Sequence, residues 1–272
     1  MNQSELQLAS EKLARLKADF DVDVLADWGH EKTGDGGSEW KTGAWAVSEL
    51  ERLHKSLSLL SDAMGGGENF IQNLSGVTVK KANIGSHGGE ALSHRVSFSE
   101  KGSFGAWTVV HEFAHAWDAN HGWKFSLALE KYTGGFTNRY LSLLIRFLRL
   151  SDSGFRNFES KPGRRGRKPG CNAAGYFYGD KPSGSNWKFN RKEDFAESVA
   201  MYIGWEKGND LSQHARDRIV RYTLNDGEKD AFNVPDNWTV YKKYFYPEGG
   251  DYTKTLRWKF VDKLMKSDIS VG

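Results

Sequence analysis

The chain has 272 residues, 38% of them hydrophobic, enough for one good core or for a larger domain with a smaller helical annex. Its 38 Lys and Arg against 35 Asp and Glu leave a net charge of +3, which gives no ground for a nucleic-acid partner. The single cysteine, Cys171, excludes an intrachain disulfide framework. No apolar run is long enough to span a bilayer and no signal-peptide core is present, so the expectation is no membrane partner, with a cytoplasmic location or release by a non-Sec route.

In chain order, the first twenty residues predict an amphipathic helix with Leu6, Leu13, Leu16 and Phe20 on its inner face. A second helix is predicted over about 44–63, with Ala46, Leu50, Leu53, Leu57 and Leu60 at helical spacing. The run Met64-Gly-Gly-Gly-Glu-Asn breaks it. Val77–Lys80 alternates like a strand, and so does His94–Phe98.

The next element carries the most information. His-Glu-Phe-Ala-His at 111–115 has the HExxH spacing that binds zinc and supplies a base to its water. On a helix, His111 and His115 leave the same face one turn apart and can grip one ion. Glu112 is rotated off that axis, which suits a base and not a ligand. Ala106, Val109, Val110, Phe113, Ala114 and Trp117 form an apolar stripe, with His111, His115 and Asp118 opposite as the expected floor of a cleft. Ser103 is the expected N-cap.

Residues 138–150 are apolar on nearly every face, which predicts a helix that is buried or meets a partner. A Gly-rich connection over 151–190 follows, a length that is usually functional or mobile. It holds Cys171, read as an inert loop thiol, and a basic run from Lys161 through Arg164, Arg165 and Arg167 to Lys168. That run reads as a solvated loop, with phosphate or an acidic substrate as the other option. Helices are predicted near 193–207, 209–223 and 254–266, with an aromatic tail segment from about 225.

A catalytic zinc takes three protein ligands, and two candidates compete for the third. Glu193 sits on the helix after Asn190, with Phe195, Val199, Tyr202 and Ile203 as its buried stripe. Glu193, Glu197, Ala200 and Gly204 fall on the other side. Glu197 would accept a hydrogen bond from the far nitrogen of a ligating histidine. The rival is His121, at metzincin spacing, though that pattern needs a glycine where this chain has Asp118. Its Met-turn counterpart, Met201, falls inside a helical pattern.

HEFAHAWD followed by NxxExFAE resembles the lethal-factor-like gluzincins, the family of the anthrax lethal factor catalytic domain, which reads HEFGHAVD and then NxxExFAE. The likeness spans about residues 70–207, with Ala114 in place of the family's glycine. It implies a zinc metallopeptidase acting on protein or peptide substrates, with Zn2+ held by His111, His115 and Glu193. Glu112 would be the general base, and Glu197 would support a ligand. It also implies a tyrosine hydroxyl at the oxyanion: Tyr178, or Tyr176 two residues earlier, since the interval to Asn190 is longer than the family's. The strand just before the HExxH helix, His94–Phe98, would form the cleft rim and pair with substrate.

The fold class that follows is α+β: a mostly helical zincin-type domain with a small mixed sheet and an HExxH helix. Residues 1–66 would form an N-terminal helical region and 67–272 the catalytic domain with its annex, or the two a single continuous domain. A non-catalytic zinc-binding interaction protein is the alternative, and a protease using the basic loop on nucleic acid a third. The sequence says nothing of oligomeric state.

Overall fold

A computed structural model describes residues 3–26, 45–85, 87–101, 104–137, 176–177, 190–209 and 252–266. Among these the protein is mostly helical with a small mixed sheet, an α+β arrangement. No helix among them is long and apolar enough to cross a membrane. The expected helices at 138–150 and 209–223, the basic run, Cys171, the aromatic tail segment and nearly all of the 151–190 connection lie outside the described residues. The chain divides into two compact units, one holding the described residues to Gly122 together with 206–209, the other those from Trp123 to Trp205 together with 252–266.

The first unit starts with helix α1, Gln3–Phe20, and a short strand β1, Asp23–Leu25. Ala9, Leu16 and Phe20 are its buried residues, whereas Leu6, expected inside, is 39% exposed in the first turn. Ala9 faces inward in its place, because the packed stripe starts one turn later than the leucine pattern suggests. Helix α2, Val47–Ala63, buries Leu50, Leu53, Leu57 and Leu60 as expected. The break after it is shorter than Met64–Asn69. A further helix α3, Gly67–Leu74, begins inside that run and buries Phe70 and Leu74. Gly65 and Gly66, both at positive φ, make the turn, and only Gly67 joins the helix.

Strands β2 (Thr78–Ala82), β3 (Gly89–Leu92) and β4 (Arg95–Ser99) complete a sheet of order β1-β2-β4-β3. β1, β2 and β4 run parallel, and β3 is antiparallel to β4. The rim assignment is therefore corrected. β4 is bonded on both sides, Val79↔Val96 and Ala91↔Val96, so it has no edge left to offer a peptide. The edge strands of this sheet among the described residues are β1 and β3, and β3 lies on the helix that follows the sheet. Val77, Val79, Val96 and Phe98 are fully buried.

Helix α4, Ala106–Asn120, carries the HExxH run. Its N-cap position is Gly105, not Ser103, which lies outside the described residues. The whole predicted stripe is buried, with Phe113 against Phe70 at 6.4 Å between ring centroids. The opposite side is not an open floor. His115 and Asp118 are buried too, and His111 is half-buried. At its end, Trp117 Nε1 and Asn120 Nδ2 donate to the side chain and backbone of Asn73 on α3.

The second unit holds α5 (Lys124–Tyr132), a two-residue pair β5 (Phe136–Thr137) with β6 (Tyr176–Phe177), all but the last turn of α6 (Arg191–Asn209), and α7 (Leu256–Met265). A 3₁₀ turn, Tyr252–Lys254, leads into α7, whose N-cap Thr255 accepts from Trp258 N–H. Residues 194–204 of α6 are buried on every side, including Ala200 and Gly204 on the side opposite the Phe195 stripe. Phe195 stacks on Phe125 of α5 at 5.8 Å.

Candidate metal centre

Local sequence accounts for the histidine pair. The i, i+4 spacing on α4 brings the Nε2 atoms of His111 and His115 to 3.1 Å, their rings nearly perpendicular at 85°. Two nitrogens at about 2.0–2.1 Å from one tetrahedral ion stand about 3.3 Å apart, so this spacing suits a shared metal. A carboxylate oxygen of Glu193 joins them: the three ligand atoms lie within 4.8 Å of one another. Two neutral imidazoles and one carboxylate form a donor set that fits a divalent cation.

Glu193 is placed by its helix terminus. Asn190 Oδ1 accepts from the backbone N–H groups of Lys192 and Glu193, at 2.9 and 3.3 Å, and so caps α6. Two acidic residues in the first turn, Glu193 and Asp194, complement the positive end of the helix dipole. Asp194 turns the other way and is fully buried. Its carboxylate accepts two hydrogen bonds from Arg257 of α7, at 2.7 and 3.2 Å, and Arg257 itself is 1% exposed. Ser198 Oγ donates to the backbone oxygen of Asp194, and the Tyr252 hydroxyl donates to that of Ser198. On the outer side Lys192 Nζ sits 3.1 Å from the centroid of the Trp123 ring.

His121 is not in the group. It ends α4, and its Nδ1 lies 3.0 Å from Trp117 O, where it donates to an end carbonyl of the helix. Met201 is buried within α6 and makes no turn. Glu197 is buried one turn beyond Glu193. Glu112 is 6% exposed and is not among the three ligands. It lies against β3: a Cβ built on Gly89 would stand 2.5 Å from both its Cγ and its Oε1. Tyr178 lies outside the described residues, and Tyr176 is described only as the backbone partner of Thr137.

No protein-family model matches this chain, nor does any curated protein or solved structure. The site is therefore read from its own residues. Three contributors were missed in the sequence: Gly89, Arg257 and the capping role of Asn190. Asn three residues before Glu193, at the head of an apolar-periodic run, is a cap signal of the ordinary kind and could have been found. Nothing local marks Gly89 or Arg257, whose partners are distant in sequence.

Proposed function

We propose that this chain is a zinc-dependent endopeptidase with a zincin-type active site, similar to the lethal-factor-like gluzincins. The observation that carries the reading is the grouping of His111, His115 and Glu193 ligand atoms within 4.8 Å, with Glu112 beside them in sequence and outside the ligand set. His111, His115 and Glu193 would hold the ion. A bound zinc supplies Lewis acidity, lowering the pKa of a water and polarising a carbonyl.

The chain's own residues do the rest. Glu112 accepts a proton from the attacking water and passes it to the leaving amine. Its burial against β3 limits its rotamers, so its carboxylate meets the reactants already oriented. β3 is an edge among the described residues, and an extended peptide can add to it through backbone hydrogen bonds with little demand on sequence. Glu197 takes the role of orienting a ligating imidazole. By the resemblance, Tyr178 donates its hydroxyl to the developing oxyanion.

The decisive experiment pairs metal analysis with activity. The parent should hold one zinc per chain and generate new N-termini in a proteome-derived peptide pool. Glu112→Gln should keep the zinc and the fold but lose turnover by several orders of magnitude, because it removes the base and no ligand. Equal cleavage by parent and variant would sink the reading. A zinc-binding interaction protein would instead bind metal and cleave nothing in either form.

A further inference from the structure

We propose that Gly89 is a positioning residue for Glu112: the bare backbone of β3 at this point leaves the space that the Glu112 carboxylate occupies. The inference rests on the peptidase reading for the role of Glu112, but the contact itself is a matter of packing. A Cβ at position 89 would stand 2.5 Å from Glu112 Cγ, 2.5 Å from Oε1 and 2.7 Å from Cδ. Cβ atoms essentially never approach heavy atoms so closely, so something must move.

The requirement is steric. Gly89 does not adopt a positive φ, and an L-residue could take its backbone conformation. Its neighbour shows the contrast: a Cβ on Gly88 would meet Thr108 Cγ2 at 3.8 Å, an ordinary contact. Alternation along β3 aims positions 89 and 91 at α4, while Glu90 and Leu92 are exposed. Position 91 is Ala, so the face of β3 towards the helix carries only small groups.

What yields to an added methyl is also set by the structure. The backbone of β3 is held by its antiparallel ladder to β4, with Gly89 opposite Phe98, and Ser99 N–H donates to Gly88 O. The backbone of α4 is held by a core that includes Val109, Val110 and Phe113, all fully buried. The flexible element between them is the Glu112 side chain. Restoring a normal contact needs a displacement of about 1 Å, which falls on the carboxylate, and a misplacement of that size costs about 10²-fold in rate.

The test uses full-length zinc-loaded protein and four variants. Gly89→Ala should keep one zinc per chain and lower kcat about 10²-fold, with KM changed much less. Gly88→Ala should match the parent in zinc content and kcat. A stability cycle then reads the contact without any turnover. Gly89→Ala should lower the melting temperature of the parent, but not that of Glu112→Ala, in which Cγ, Cδ and Oε1 are gone. Equal melting-temperature losses in the two backgrounds, or an unchanged kcat in Gly89→Ala, would overturn the proposal. A parent that cleaves no peptide would refute the peptidase reading alone, and the cycle would still decide whether Gly89 makes room for Glu112.

Discussion

Among the described residues, each unit of the molecule holds a cation buried against a carboxylate, and these two pairs are built for different ends. In the first, Lys81 of β2 donates to both oxygens of Glu49 at 2.9 and 3.0 Å, with side chains 7% and 6% exposed. Glu49 also accepts from Ala46 N–H at 2.9 Å, which caps α2. This pair fastens a helix to a sheet. In the second, Arg257 grips Asp194 with two nitrogens, the side chains being 1% and 0% exposed. Asp194 is the residue after Glu193 in the first turn of α6. The same class of interaction thus serves the frame in one unit and the aim of a candidate ligand in the other. A guanidinium fork suits the second task, because two parallel bonds fix the direction of a carboxylate and an ammonium does not.

The difference can be broken by experiment. The largest effect should come from Arg257→Ala, which strands a buried Asp194 carboxylate. We expect a loss of about 3–5 kcal/mol in urea unfolding, together with a weakened rise of melting temperature on adding zinc. Full retention of that zinc response would show that Asp194 serves the fold alone. Lys81→Ala strands Glu49 in the same way, at a cost of about 3 kcal/mol, less because this pair is slightly more exposed. Its zinc response should match the parent's, and a diminished one would erase the contrast between the pairs.

Asn190→Ala removes the α6 cap, and calorimetry should show a loss of about 1 kcal/mol. Zinc affinity should fall with it, since one of the two capped N–H groups is that of Glu193.

The smallest effect is expected at the exposed pair of Lys17 and Asp21, 2.7 Å apart. Hydrogen bonding to the two aspartates Asp21 and Asp23 raises the Lys17 pKa above 10.5. The bond from Lys17 lowers that of Asp21 below 3.8. Asp21 thus contributes stability that is present above pH 3.8 and lost as pH falls through its lower folded value. The Lys17 share is present below pH 10.5 and lost as pH rises through its higher folded value. Lys17→Met should leave stability at neutral pH nearly unchanged and flatten its pH dependence at both extremes. A large loss at pH 7 would contradict the ranking of exposed below buried pairs.

What the sequence determined by itself is whatever repeats within one helix or strand. Periodicity places the cores of α2 and α4, and i, i+4 spacing brings His111 and His115 onto one face, because neighbours on a helix surface are neighbours in sequence. The capping Asn190 and the Glu193–Glu197 spacing belong to the same local order. Burial of His115 and Asp118 on the polar side of α4 was not legible, since it depends on what packs against that side. The helix α3 hidden behind three glycines was missed for a related reason: turn composition marks a break, but how soon the next helix starts is decided by the burial of Phe70 and Leu74. Only the tertiary structure decided that β3 and not β4 lies at a sheet edge, that Glu193 and not His121 joins the two histidines, and that Gly89 makes room for Glu112. Each of these is a contact between segments far apart in the chain. Composition can supply the groups for such a contact, but strand order and packing choose which of them meet.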